Sequence, residues 1–287
     1  MKTRIFLMIA SLAILSFTSC KKDFSPLEQS ALNLADDEAV SDAVFEDIFN
    51  TADNASIQLD NMMKSGDTKS EIVSGDLCPV ITVKHPSTGI WPKIVTIDYG
   101  TGCTGFFNNT RSGKIKMEVT GPRREEGSKR TVTFEDYYFN EIKVEGTKVT
   151  ENMGINSNMN VNFRVILTGG KLTMPDGKTI ERTFEHQREW TAGFQTRNIW
   201  DDECLITGFA SGRNIEGYAY IRTIITALQW KRACNFIVSG VVKIEKEGTD
   251  PFELDYGMGE CDNKALVKRG DDSKEILLRH RHRSMIH

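Results

Sequence analysis

The chain has 287 residues, 39% of them hydrophobic, and 36 basic side chains against 40 acidic ones give a formal net charge of -4. That length suits one large domain or two small ones, with apolar content enough for a real core, and the near-balanced charge gives no basic footprint of a nucleic-acid binder. With 9% aromatic and 26% charged residues the body is not a disordered tail, and the longest apolar run sits at the extreme N-terminus, so no later segment is suited to span a bilayer as a helix.

Lys2 and Arg4 precede an apolar run from Ile5 to Phe17, and small residues then lead into Cys20. This is a secretory signal layout, too short for a spanning helix. The ending Phe17-Thr18-Ser19-Cys20 resembles a bacterial lipobox, with Phe where Leu is commonest. The resemblance implies a signal peptide over 1–19 and a lipidated, palmitate-bearing Cys20. Acyl chains there would anchor the chain to a membrane, each buried methylene contributing about 0.8 kcal/mol. Residues 20–35, polar and containing Pro26, read as the lipidated cysteine and a tether.

From Asp36 the pattern changes. Val40, Val44, Ile48, Ala52, Ala55, Leu59 and Met62 recur at three- and four-residue steps, one face of an amphipathic helix over 36–65. Asp36 and Asp37 stand at its expected start, where acids suit the positive end of the dipole, and Gly66 at its end. The apolar stripe is expected to pack on the main domain.

Residues 66–279 read as an antiparallel β domain. Ile115, Met117 and Val119 alternate with Lys114, Lys116 and Glu118, and Met159, Val161, Phe163, Val165 and Leu167 alternate with Asn160, Asn162 and Arg164. Such runs are strands with one wet face. Pro175-Asp176-Gly177, Gly169-Gly170 and Glu247-Gly248 punctuate them. About a dozen strands at even spacing, with no strand–helix alternation, predict a mainly β fold: a large antiparallel curved sheet or sandwich with one N-terminal amphipathic helix. Residues 280–287 form a basic, His-rich tail, read as frayed.

Asp98-Tyr99-Gly100-Thr101-Gly102 precedes Cys103, and Asp255-Tyr256-Gly257-Met258-Gly259 stands just before Cys261. Each copy closes a strand–turn–strand unit begun by Cys78 or Cys234, with turns expected near Ser87-Thr88-Gly89 and Glu247-Gly248. Residues equidistant from a hairpin turn face one another, which predicts disulfides Cys78–Cys103 and Cys234–Cys261 and leaves Cys204 free. An exported chain meets an oxidising compartment, consistent with pairing. The repeated element itself reads as a structural turn.

Tempting motifs fail on context. Gly100-Thr101-Gly102-Cys103-Thr104-Gly105 matches G-x-G-x-x-G, but Phe106-Phe107-Asn108-Asn109-Thr110 and a strand follow where a helix is required. In Glu185-His186-Gln187-Arg188-Glu189 the acids share one strand face and His186 points to the other. Asp201-Asp202-Glu203 lacks the glycine-bearing loop of a calcium site and reads as an acidic surface turn. Neither Gly-x-Ser-x-Gly nor His-Glu-x-x-His occurs. No catalytic, cofactor-binding or metal-binding residue is assigned, and no enzymatic activity is expected.

The lipobox followed by Lys21-Lys22-Asp23, the acidic stretches Asp36-Asp37-Glu38 and Phe45-Glu46-Asp47, Leu254-Asp255-Tyr256-Gly257 and Cys261-Asp262-Asn263-Lys264-Ala265 together resemble outer-membrane lipoproteins of Bacteroidota that carry no assigned activity. Lysine followed by acid behind the lipid is similar to their surface-export signal. The resemblance implies an outer-membrane lipoprotein exposed at the cell surface, held to the membrane through Cys20. The functional expectation is a non-enzymatic surface binding or structural protein for a glycan, protein or lipid ligand, with Tyr137, Tyr218 and Tyr220 as aromatic stacking candidates on polar strand faces. The alternative is a periplasm-facing carrier of lipid or another hydrophobic ligand, or an envelope assembly factor, with the helix as a lid over an apolar concave face.

Overall fold

The computed structural model describes residues 25–65, 71–73, 78–84, 90–196 and 198–280. The signal region, Cys20, the turn expected at 87–89 and residues 281–287 lie outside the described residues.

One helix, α1 (Gln29–Ser65), precedes fifteen strands. The first are β1 (Glu71–Val73), β2 (Val80–Lys84), β3 (Lys93–Asp98), β4 (Cys103–Thr104) and β5 (Thr110–Val119). The long middle strands are β6 (Lys129–Phe139), β7 (Ile142–Ile155), β8 (Val161–Thr173), β9 (Thr179–Ala192), β10 (Glu203–Arg213) and β11 (Ala219–Lys231). The last are β12 (Ser239–Lys246), β13 (Phe252–Met258), β14 (Lys264–Arg269) and β15 (Asp272–Leu277). All pair antiparallel in one sheet in chain order, except that the two-residue β4 pairs with β5 off that path. The fold is therefore mainly β, a single sheet rather than a sandwich, and the sheet is not closed. A twisted sheet of this many strands must curl, and here α1 fills the concave side.

Alternation fixes which face turns inward. In β5, Ile115, Met117 and Val119 are buried while Lys116 and Glu118 are exposed. In β8, Phe163, Val165 and Leu167 are buried. A one-residue slip would send each such set to solvent, so burial pins the register.

The helix begins at Gln29, seven residues earlier than the acids at 36 and 37 suggest. Residues 29–35 therefore belong to the helix and not to the tether, and Leu27, Ala31, Leu34 and Ala35 are already in the core. The acids mislead because they serve the sheet rather than a helix end: Asp37 accepts from the Ile215 backbone N–H at 3.2 Å. The predicted stripe is buried from Val40 to Leu59, as expected. The opposite face is buried as well. Every side chain from Ala31 to Asp60 is buried or half-buried, including Asp37, Glu38 and Asp53.

Those acids meet cations on the inner face of the sheet. Asp53 accepts from Arg123 Nε at 2.7 Å and Nη2 at 3.0 Å, and from Arg130 Nη1 at 2.7 Å. Asp42 accepts from Arg182 Nη2 at 2.7 Å and Arg222 Nη2 at 2.9 Å, and Glu38 lies 3.3 Å from Arg222 Nε. Glu46 pairs with Arg188 and Asp47 with Arg111. Lys148 donates to the Phe45 carbonyl at 2.9 Å. Buried pairs of this kind add little net stability, but losing one partner strands a charge, so they fix where the helix sits.

Both predicted disulfides form. Cys78 and Cys103 have Cα atoms 6.3 Å apart, Cys234 and Cys261 5.2 Å, and Cys204 is buried and unpaired. The repeated element is a turn only in its first copy, after β3; the second, expected to turn, lies within β13, although the local bond recurs, Asp98 Oδ1 accepting from the Gly100 N–H at 2.8 Å and Asp255 Oδ1 from the Gly257 N–H at 2.9 Å. Among the described residues no helix is long and apolar enough to cross a membrane.

Candidate functional site

Because the sheet stays open, one flank of the helix is not covered by a strand. Ala39, Asp42, Ala43, Glu46, Asp47, Asn50, Thr51 and Asn54 follow three- and four-residue steps along it and floor a cavity of about 100 Å³. The alanines leave room, and the longer side chains supply polar atoms. Phe107, Asn109 and Arg111 form one bank; Trp230, Arg232, Phe236 and Tyr256 form the other.

The repeated Asp-Tyr-Gly element frames the flank. Tyr256 is buried on the second bank and donates its hydroxyl to Asp42 at 2.7 Å. Tyr99 is buried beside Asp47 and Thr51, and burial pushes its hydroxyl up to about 12. Each copy presses its tyrosine against the helix, the first just past the end of β3 and the second within β13.

The floor is held rigid. Arg232 Nη1 donates to Asn50 Oδ1 at 2.8 Å and Nη2 to Asn54 Oδ1, so one guanidinium fork spans two amides one helical turn apart. Their Nδ2 groups have no protein partner among the described residues. Arg111 reaches Asp47 through Nε at 3.0 Å and through Nη2. Gly105 makes that reach feasible, since a Cβ there would stand 2.6 Å from Arg111 Nη1. Burial alone would raise the Asp42 carboxyl, but Arg222 and Arg182 more than reverse it and hold the group below its usual range. The floor acids thus stand as acceptors, each with its guanidinium.

Two exposed aromatic rings stand on loops at the rim. Phe107 (50% exposed) lies in a 3-10 turn over Phe106–Asn108 with φ at +57°, and Asn108 shares that φ. Left-handed backbone at a bulky aromatic is costly, and such positions gather at functional sites. Asn140 secures the turn's exit, donating to Asn109 Oδ1 and accepting from the Thr110 N–H, both at 2.8 Å. Trp200 (42% exposed) sits in the turn Ile199–Asp201, where Asn198 Oδ1 accepts from its N–H at 3.1 Å. Its neighbour Ile199 also lines a cavity of about 390 Å³ beside Tyr99 and one of about 500 Å³ beside Arg123 and Phe194. Together the three cavities follow the helix from Ala39 to Lys64, roughly 37 Å at 1.5 Å per residue.

The chain's last described residues cross the cleft mouth. Leu278 N–H donates to the Asn263 carbonyl at 2.7 Å, and the His280 ring stacks on Phe236 at 4.6 Å and meets Phe139 edge-on at 6.0 Å. His280, expected to open a frayed tail, is instead packed, and burial lowers its pKa.

The structure does not gather the three predicted tyrosines. Tyr137 is fully buried, stacked on Phe134 at 5.6 Å. A register shift in β6, with Asp136 at φ +44°, inverts the alternation before it. Tyr220 is buried against Glu38, because the inner face at β11 is polar and the apolar Ile221 points out. Tyr218 alone is exposed, under Lys246 with Nζ 3.9 Å from the ring centroid, and it does not line the cleft. Glu185 and Glu189 share a partly exposed face and His186 is buried, as the strand pattern predicts. Asp202 is not a surface residue: it is buried, and burial, then the charge of Asp53, raises its carboxyl to about 6. Among the described residues no group of His, Cys, Asp and Glu side chains could hold a metal ion.

Sequence reasoning missed Phe107, Trp200, Asn50, Asn54 and Arg232. Asn50 and Asn54 were visible as paired amides on the polar helix face, and Phe107 as an aromatic stranded between two strand signals. Nothing in the pattern marks Arg232 or Trp200. Comparison of the chain with models of known protein families, with curated proteins and with solved structures gives no match.

Proposed function

We propose that the protein is a lipid-anchored, non-enzymatic binding protein of the outer membrane, exposed at the cell surface, whose ligand seats in the cleft over α1. The observation that carries this reading is the open seam: a polar helix face, its side chains already oriented by buried arginines, lies between two exposed aromatic rings. Sites of this type are concave, largely pre-formed and fitted with a few fixed polar groups. The address in residues 1–23 supports the location and the membrane contact through Cys20.

The carrier alternative has less behind it. Its lid would be α1, and lifting the helix would strand Arg123, Arg130, Arg182 and Arg222 without their acids.

Two experiments test the proposal. Cys20→Ala is expected to release the protein from membranes; a mutant that still fractionates with them contradicts the anchor. A photo-crosslinking residue in place of Asn54, activated in intact cells, is expected to capture an envelope molecule of whatever class. Absence of any adduct there, against adducts at an outer-face control such as Thr223, contradicts the cleft as a binding site.

A further inference from the structure

We infer that the cleft takes a neutral, hydroxyl-rich ligand: a stretch of neutral oligosaccharide, one ring seated between Phe107 and Trp200 with its hydroxyls on Asn50 and Asn54. This rests on the cleft being the binding site and names its ligand class.

Charge narrows the choice first. Asp42 is shared by Arg182, Arg222 and Tyr256, Glu46 is paired with Arg188, and Asp47 is held by two atoms of Arg111. A cationic ligand would stand beside guanidinium groups that already neutralise these acids. Arg232 carries the remaining positive charge on the floor, and its two terminal nitrogens each hold one amide oxygen. An anionic ligand would lie over a floor that also carries the carboxylates of Asp42, Glu46 and Asp47.

Polarity narrows it further. An acyl chain on this floor would take carboxylates and amides out of water without replacing their hydrogen bonds, which is unfavourable for each group. A sugar supplies what the floor lacks. With both Oδ1 atoms turned to Arg232, the Nδ2 groups of Asn50 and Asn54 offer donors in fixed orientation, and the second oxygen of Glu46 and the Thr51 hydroxyl can accept. The apolar face of a pyranose matches an aromatic ring, and exposed rings with polar surroundings suit a ligand of mixed character. The adjoining cavities that share Ile199 extend the site along the helix, as a chain rather than a single sugar requires.

The test is a titration of the full chain, purified in detergent, with hexasaccharides of glucose, mannose, galactose and N-acetylglucosamine. Oligogalacturonate and a lauroyl fatty acid serve as acidic and apolar probes. The expected result is that at least one neutral hexasaccharide binds with a change in tryptophan fluorescence. Trp200→Ala should weaken it at least tenfold with an unchanged melting temperature, Asn54→Leu should weaken it at least tenfold with some loss of stability as Arg232 loses an acceptor, and Tyr218→Ala should leave affinity unchanged. Binding of the acidic or apolar probe alone, abolished by Trp200→Ala, would overturn the ligand class and leave the cleft as a site. Neutral binding that Trp200→Ala, Phe107→Ala and Asn54→Leu all leave intact would overturn the placement. No binding by any probe, while the crosslinker at position 54 still captures a protein or lipid, would overturn the inference but not the binding role.

Discussion

The two walls around the helix are built on opposite chemistry. On β3 and β5 the buried positions, beyond Lys93 and Arg111 near the strand starts, are Val95, Ile97, Ile115, Met117 and Val119, an apolar surface against an apolar stripe. On β9 and β11 they include Arg182, His186, Arg188, Tyr220 and Arg222, while Ile221 and Ile225 of β11 stand exposed outside. The first wall holds the helix without direction, since hydrophobic burial is non-directional. The second holds it at named atoms, because each guanidinium must meet its own carboxylate. That difference explains why one flank of the helix keeps its rotation and depth well enough to present Asn50 and Asn54 as a pre-set floor.

The comparison breaks or sharpens under substitution. The largest effect is expected at the polar wall: Asp42→Ala strands Arg182 and Arg222, and guanidinium denaturation should show a loss of about 3–5 kcal/mol. A loss under 1 kcal/mol would mean the two arginines find water. At the apolar wall, Ile97→Ala should cost about 2–4 kcal/mol by the same measurement, through lost burial and the cavity left behind. Replacing Cys234 and Cys261 together by Ala should lower stability by about 2–4 kcal/mol through the loop of 27 residues they close, and should loosen the bank that carries Phe236.

Smaller effects concern pH, and two groups act in opposite directions. His186 is buried among Arg222, Arg182, Arg188 and Lys148, and burial first, then those cations, hold its pKa well below 6.5. It folds neutral, so its contribution is full above 6.5 and is lost as pH falls. His186→Phe should flatten that acid-side loss. Asp202 has its carboxyl raised from 3.8 to about 6, so folding takes up a proton in that window and stability falls as pH rises through it. Asp202→Asn should remove the fall, and a profile unchanged by the substitution would contradict its buried state.

The contrast between the walls also sets what the sequence makes legible. The strands, the meander, the disulfides and the turn at Asp98 follow from alternation, glycine placement and spacing. The helix was visible from its apolar stripe, but its start was misplaced, because Asp36 and Asp37 were read as end signals while Asp37 serves a distant turn. The tyrosine candidates failed at the polar wall. Alternation assigns polar residues to the outside, and at β11 the acids of the helix reverse that rule for Tyr220 and Arg222. At Tyr137 a bulge reversed it. The cleft itself was not legible, since it depends on where a curling sheet stops, which no local pattern encodes.

Adjacent residues on one strand test the account most directly. Arg222 points to Glu38 and Asp42, and its neighbour Ile221 points to solvent. Chemical denaturation of Arg222→Ala and Ile221→Ser, side by side, should give a loss of about 3 kcal/mol or more for the arginine and within about 0.5 kcal/mol of wild type for the isoleucine. The reverse order would mean that β11 turns its apolar face inward, and that neither the polar wall nor the floor it orients exists.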